Sequence, residues 1–532
     1  MFRKRNSPLL VGKARMRQTI ESQLNEKLSS LKELPLSANL KTNLELLEQT
    51  LGKSDDFVVR QFYIGGGLNR QSAVVFIDGL IDSSIIDHFI LKASMIDWSG
   101  NDPGSQEIIE YIKNYGVPVN EAGQTDRLHK AVQSVLSGDS LLLTDGTPQA
   151  LLLNTKGWEK RGVEEPRTEA VVRGPRNGFT ETLRINTAQV RLRLKDPDLR
   201  VKNLTVGERG NTDVAVMYIE GLANKDIVDE VIRRIEAIKI DAAIDSGYIE
   251  QLIEDSHWSP FPLIQNTERP DKAVANLLEG KVLVISDGTP FVLIAPAVFS
   301  QFYHSPEDYY ERFLISTLIR FIRVISMIMA LLLPSLYIAF SSFHPEMIPS
   351  RLVIAMAAGR STVPFPSIVE AFLMEVTMEV LREASVRLPG PIGPTIGIVG
   401  ALVVGQAAVE AGIVSPIMVI VVALTTIGSF ASPSYSAAIA LRMLRFPMMM
   451  AAAMFGLYGI MLLIIIIIIH LCSLKSFGVP YLAPLTPFRS KDMKDTFFRA
   501  PLYRLRNRPS FLKLEDKQRA IADKDGKGAE SR

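Results

Sequence analysis

The sequence holds a single cysteine, Cys472, in 532 residues. An intrachain disulfide is therefore excluded, which fits a soluble part kept in a reducing compartment. Histidine is scarce too: the six present show no spacing that suggests zinc. The first 32 residues are polar and basic without an apolar core, so no cleavable signal peptide is predicted. Gly65-Gly-Gly67 lacks both the spaced glycines and the Gly-Lys-Ser/Thr ending of a phosphate cradle. No nucleophile–base constellation stands out. These absences predict no enzyme, no cofactor, no metal and no nucleic-acid partner.

What is present is apolar and unevenly placed. From Phe313 to Leu474 the chain is almost continuously hydrophobic, culminating in Met461-Leu-Leu-Ile-Ile-Ile-Ile-Ile-Ile469. A helix needs roughly 20 apolar residues to cross a bilayer, and several windows here reach that length. The preceding three hundred or so residues read as water-soluble. The predicted fold is a duplicated α/β soluble domain followed by an all-α polytopic membrane domain. The expected parts are a polar extension (1–55), a first subdomain (56–160), a linker (161–211), a second subdomain (212–304), a membrane domain of about four to five helical segments (305–474) and a basic tail (475–532). In that tail basic residues outnumber acidic ones about two to one, the bias of a cytoplasmic flank. Beyond Lys513 its composition equally suits a solvated tail.

The duplication has a fixed register. Val74-Val-Phe-Ile-Asp-Gly-Leu80 recurs as Val216-Met-Tyr-Ile-Glu-Gly-Leu222, and Ser140-Leu-Leu-Leu-Thr-Asp-Gly-Thr-Pro148 as Val282-Leu-Val-Ile-Ser-Asp-Gly-Thr-Pro290. Lys130-Ala-Val132 likewise recurs as Lys272-Ala-Val274, and Gly79 to Gly221, Gly146 to Gly288 and Ala131 to Ala273 are all 142 residues apart. Each Asp-Gly between apolar runs predicts a hairpin, since glycine accepts positive φ. A catalytic or metal-binding role for the repeated aspartates competes with that turn role, which also explains the Gly and the Pro. In the linker Arg184, Arg191 and Arg193 suggest contact with an acidic partner or a neighbouring subunit.

The membrane part contains unusual features. Pro334 falls inside the first span; it should kink but need not end the helix, because neighbours can satisfy the carbonyl it frees. Two prolines break the chain at Gly359-Arg-Ser-Thr-Val-Pro-Phe-Pro366, and the next helix carries Glu370, Glu375, Glu379 and Glu383. The last three share a face at i, i+4 and i+8. Acids there either face a bundle interior or water as part of an ion path, or lie wet in the interface, paired with Arg382 and Arg387. Gly397, Ala401 and Gly405 share one face, Gly400, Ala408 and Gly412 another, a spacing that lets helices pack closely. Arg442 and Arg445 read as a cytoplasmic flank. Five crossings would put the basic tail outside; an even number needs a non-spanning segment or a final stretch folded as a hairpin, and the Pro-broken, Glu-bearing segment is the one expected to be re-entrant or interfacial.

Ser305-Pro-Glu-Asp-Tyr-Tyr-Glu-Arg312, Phe343-His-Pro-Glu-Met347, Val363-Pro-Phe-Pro366, Glu379-Val-Leu-Arg-Glu-Ala384, the stretch 398–412, Ser415-Pro-Ile-Met-Val419 and Leu441-Arg-Met-Leu-Arg-Phe446 resemble the A subunits of GerA-type spore germinant receptors. The resemblance implies location in the spore inner membrane with head and tail on the core side, and assembly with a transporter-like B subunit, a lipoprotein C subunit and copies of itself, among membrane lipids. It implies an oligomeric, nutrient-gated cation channel, against the alternative of a non-conducting scaffold or signalling subunit. On the channel view Ser361, Thr362 and Val363 line a constriction and Glu375, Glu379 and Glu383 attract cations beside it. Gly397, Ala401, Gly405, Ala408 and Gly412 serve helix packing.

Overall fold

The computed structural model describes residues 34–64, 70–94, 122–157, 165–166, 168–386 and 403–519. The head consists of two units of the same design. In the first, α1 (Leu40–Leu51) precedes β1 (Phe57–Ile64), β2 (Arg70–Ile77), α2 (Ser83–Ser94), β3 (Ala122–Thr125), α3 (Leu128–Leu136), β4 (Ser140–Thr144) and β5 (Ala150–Leu153). In the second, α4 (Leu183–Arg193) precedes β6 (Leu199–Val206), β7 (Thr212–Ile219), α5 (Lys225–Glu236), α6 (Ser246–Ile253), β8 (Gln265–Thr267), α7 (Pro270–Leu278), β9 (Val282–Ser286) and β10 (Val292–Ala295). The sheet orders β1-β2-β4-β5-β3 and β6-β7-β9-β10-β8 match, and the strand pairs are antiparallel. The central strands are buried runs of Val, Leu and Ile, as strands covered on both faces must be.

The duplication is longer than its conserved words. The same 142-residue offset carries β1 (Phe57–Ile64) onto β6 (Leu199–Val206), and α1 onto α4 within a residue. The segment 161–211, expected as a linker, thus contains the first helix and first strand of the second unit. Its strand has no continuous apolar run, because at this sheet edge Arg200, Lys202, Asn203 and Thr205 interrupt the apolar residues. The arginines singled out there find partners within the chain. Arg191 is buried and grips Asp56 of the first unit with two hydrogen bonds, Nε at 2.8 Å and Nη2 at 2.9 Å. Arg184 Nε lies 3.5 Å from Asp78 Oδ2, and Arg193 bonds Asn177.

Each repeated Asp-Gly turn does a second job. Asp145 Oδ1 accepts the amide of Leu40 at 3.0 Å, and Asp287 Oδ1 the amide of Leu183 at 2.9 Å. Both aspartates thereby cap the first helix of their own unit, where N-terminal amides otherwise lack partners. Gly146 (φ 87°) and Gly288 (φ 84°) supply the left-handed backbone of the turns.

After the connector α8 (Glu307–Tyr310), the helical region comprises α9 (Phe313–Ser342), α10 (Ser350–Arg360), α11 (Ser367–Val386), a helical stretch at 403–410, α12 (Pro416–Phe430) and α13 (Tyr435–Ser473). By length and apolarity α9, with 30 residues, and α13, with 39, can cross a membrane. α13 is a helical hairpin. Gly456 (φ 59°, ψ −136°) breaks it against Phe343 and His344, beyond the far end of α9. Ala437 and Ala440 near one end, and Leu471 and Leu474 near the other, share a cluster with Phe261, Leu263 and Phe302 of the head. Both ends of α13 therefore lie on the head side of the helical bundle.

The tail does not trail away at Lys475. β11 (Lys475–Ser476) and β12 (Val479–Pro480) form a short hairpin, and Phe477, Val479, Phe511, Leu512 and Leu514 enter the core of the second head unit. Residues 475–519 strap the head to the membrane bundle.

Replacing Asp145 or Asp287 by Ala should cost the head about 1 kcal/mol each. Hydrogen exchange on the purified chain should then show faster exchange at Leu40 or Leu183 respectively. Asp287→Asn, which keeps an acceptor oxygen, should retain most of the protection; equal loss in both variants would exclude the capping role.

Candidate functional site

Proline has no amide hydrogen, so Pro334 leaves the carbonyl of Ala330, four residues back in α9, without its helical donor. In hydrocarbon no water can make up the loss. Arg445 of α13 does: its Nε donates to the Ala330 oxygen at 2.7 Å. The same guanidinium bonds Glu375 of α11 through Nη1, and both side chains are 1% exposed. Three helices are thus tied at one point in the middle of the bundle.

One turn along, the pattern repeats with less burial. Glu379 Oε2 takes Arg442 Nη1 at 3.1 Å, and Oε1 takes Arg382 Nη1 at 2.9 Å. Arg382 continues to Ser429 Oγ of α12 at 3.3 Å and stands over the Phe430 ring at 5.2 Å. Glu370, fully buried, accepts Arg360 Nε of α10 at 3.2 Å and the amide of Ser415 at 3.0 Å. Glutamates four apart on α11 therefore meet arginines three apart on α13, as neighbouring helices running in opposite directions allow.

The acidic row expected to draw cations consequently divides. Glu375 and Glu379 are paired within the chain, and Glu383 is exposed near the end of α11. The physical reason is the cost of an unpaired carboxylate at depth, several kcal/mol or more, which the arginines offset. Arg442 and Arg445, expected as flanking charges, are the partners that local sequence reasoning missed. The legible signal was the match of i, i+4 acids to i, i+3 bases on two apolar helices. Arg387, named as another partner, lies outside the described residues.

Ser361, Thr362 and Val363 form the turn between α10 and α11. Ser361 and Thr362 are exposed and Val363 half-buried. Ser361 Oγ donates to the Ala358 carbonyl at 2.7 Å, and the Val363 amide donates to Arg360 at 3.0 Å. Gly412 (φ 67°) meets this turn: a Cβ there would stand 3.2 Å from the Thr362 oxygen. A Cβ on Gly405 would come within 3.3 Å of Val419, and Ala408 is buried against the bundle core, so these small residues sit at close helix approaches. Gly397 and Ala401 lie outside the described residues.

At the foot of α9 a second charge cluster joins the bundle to the head. Arg320, fully buried, pairs with Asp308 of the connector at 3.1 Å and with Asp495 of the strap at 3.0 Å. Arg323 binds Asp308 at 3.1 Å and the Tyr303 carbonyl at 2.7 Å. Arg499 of the strap donates to the carbonyls of Tyr309 and Glu311.

Arg445→Met should destabilise the detergent-solubilised chain by about 3–5 kcal/mol, because it strands Glu375 as a buried charge. Glu375→Leu added to it should recover most of the thermal midpoint. The remainder belongs to the Ala330 carbonyl, and a further Pro334→Ala, which restores its amide donor, should remove that too. No gain from Pro334→Ala in this background would sever the link between the proline and the arginine.

The family model described as the Bacillus/Clostridium GerA spore germination protein matches residues 45–511. Spore germination protein KA of Bacillus subtilis (strain 168) is 45% identical over 498 residues, covering 93% of this chain and 91% of that protein. Spore germination protein GerLA of Bacillus cereus is 41% identical over 483 residues, covering 91% and 97%. A crystal structure of the N-terminal domain of the A subunit of the Bacillus megaterium spore germinant receptor GerK3 aligns with a TM-score of 0.39 and 38% identity, covering 50% of this chain and 98% of that one. On the family match and these identities, the chain belongs to the GerA family of Bacillus/Clostridium spore germination proteins and has the role of a germinant-receptor A subunit.

Proposed function

We propose that this A subunit is an oligomeric cation channel, gated by nutrient through its partners, that begins spore germination. In this reading it resides in the spore inner membrane with head and strap on the core side. It assembles there with a transporter-like B subunit and a lipoprotein C subunit. The observation that carries the proposal is the turn Ser361-Thr362-Val363, where the small polar Ser361 and Thr362 are exposed beside a half-buried Val363 at a break between two helices of an apolar bundle. Broken backbone at depth is tolerated where it lines a water-filled path. Around a symmetry axis, copies of this turn make a ring with Val363 as an apolar constriction of the kind that gates by dewetting.

The charges take separate roles. Glu383, exposed at the other end of α11, is placed to raise local cation concentration at a mouth of the path. Glu375 and Glu379 with Arg445 and Arg442 act as a latch that holds α11 against α13. The exposed apolar face of α9, including Leu314, Leu318, Phe321 and Ile322, is available to lipid or to a neighbouring copy. A non-conducting scaffold is the second reading, favoured by the ion pairs that hold Glu375 and Glu379 within the chain.

Vesicles carrying the full chain, with and without the B and C subunits, decide between them. Val363→Ala should produce a standing monovalent-cation leak at least several-fold above wild type, and Glu383→Gln should reduce it. Folded oligomers of Val363→Ala that stay tight in the presence of the partners would favour the scaffold.

A further inference from the structure

A cavity of about 400 Å³ lies where the second head unit, the connector α8 and the strap meet. That volume is within the range of small-molecule sites, which favour such seams between parts. Its lining combines buried acceptors with exposed cations. Gln265 of β8 is 3% exposed and its Oε1 has no hydrogen-bond partner among the described residues. Native structures rarely leave a buried acceptor unpaired without a reason. Glu279, just after α7, is half-buried and also lines the cavity, and its carboxylate has no hydrogen-bond partner among the described residues either. Burial raises its pKa above the ordinary value, with Lys281 and Arg519 opposing the shift.

The other acids of the lining are engaged. Asp271 is held by Arg269 and Tyr310, Asp495 by Arg320 and Tyr309, and Asp492 by the amide and hydroxyl of Ser510. Among the exposed residues of the lining the charge reverses: Lys491, Lys494, Arg504 and Arg519 line the cavity and are exposed. The buried part of the lining thus offers acceptors and the exposed part offers cations.

We propose that this cavity binds a small zwitterion, with its ammonium group on Gln265 Oε1 and the Glu279 carboxylate and its anionic group against Lys491, Lys494 and Arg519. An ammonium supplies the N–H donors that the buried acceptors lack, and it compensates the desolvated carboxylate. A bound molecule would touch head and strap together. It would also rest beside Asp495 and Tyr309, next to the cluster that fixes Arg320 at the foot of α9. The site is therefore placed to act as an effector site, and the binding claim does not depend on whether the subunit conducts.

The test is calorimetry on the full chain in lipid nanodiscs with five probes: methylammonium, acetate, glycine, β-alanine and γ-aminobutyrate. At least one zwitterion should bind at least tenfold more tightly than methylammonium or acetate alone. Glu279→Gln and Gln265→Leu should each weaken it tenfold or more, at an unchanged melting midpoint for Glu279→Gln. Lys491→Gln combined with Lys494→Gln should reduce the zwitterion toward the affinity of methylammonium. Acetate binding as tightly as the best zwitterion, affinity indifferent to Glu279→Gln, or no saturable heat from any probe would each overturn the proposal. Should Gln265→Leu fail to fold, Glu279→Gln decides alone. Ion flux is not part of the readout, so failure here leaves the channel reading where it stood.

Discussion

A membrane interior demands a partner for every backbone polar group, and Pro334 withdraws one from the middle of the first spanning helix. The repair at Ala330 brings a charged side chain, Arg445, into the buried interior of the apolar bundle, and that charge in turn requires Glu375. One missing amide hydrogen thus recruits two ionised groups and fixes three helices against each other. Buried ion pairs are poor sources of net stability, since desolvation costs several kcal/mol per ion. What the pair supplies is uniqueness: α11 cannot slide or rotate against α13 without stranding a charge. Most of the remaining contacts around it are apolar and would tolerate such movement, as Met448, Met449, Val421 and Val422 illustrate.

The head obeys a different constraint, that of a duplicated unit whose copies must meet asymmetrically. Both units use the same turn aspartate to cap the same helix, so the shared design is preserved where each unit is self-contained. It diverges at the junction. Asp56 of the first unit receives Arg191, and Ser54 donates to Asp56 at 2.5 Å while accepting the amide of Val201 at 2.9 Å. Asp198 takes the position of Asp56 in the second unit, where it contacts Arg200 of its own unit at 3.7 Å. Gly52 belongs to this junction as well. A Cβ there would lie 2.3 Å from the Arg200 guanidinium carbon, and the backbone has φ 69°.

Much of this was legible in the chain itself, for definable reasons. The repeat, its hairpins and its register follow from short apolar runs beside Asp-Gly, signals that act within a few residues. Pro334 announced a freed carbonyl because the proline effect is local and chemical. The donor was not legible, because Arg445 is more than a hundred residues away and reads locally as a flanking charge. The parity of crossings raised a hairpin in the final stretch as one alternative, but not its position at Gly456: a helix apolar on all faces gives no periodicity, and a lone glycine carries little weight in it. The strap misled through composition. Its many charges suggested a solvated segment, yet three apolar residues, Phe511, Leu512 and Leu514, suffice to seat its end in the head core.

These interactions bear on how a change in the head could reach the bundle. Coupling between distant sites needs an element with discrete arrangements that both sites bias. The α9 helix has the right position, because its foot and its middle are held by separate charge clusters. Arg323 and Ala330 are seven residues apart, about 10 Å along a helix rising 1.5 Å per residue. The foot cluster is built from head, connector and strap together, through Asp308 and Asp495, whereas the middle cluster is built from bundle helices alone. A shift of the strap acts on Asp495 and so on Arg320, and any resulting rotation of α9 moves the Ala330 carbonyl relative to Arg445. Since Arg445 divides its donors between that carbonyl and Glu375, the geometry of the first bond is coupled to that of the second. The proline therefore does more than bend the helix: it makes the backbone of α9 a ligand of the charge pair that joins α11 and α13.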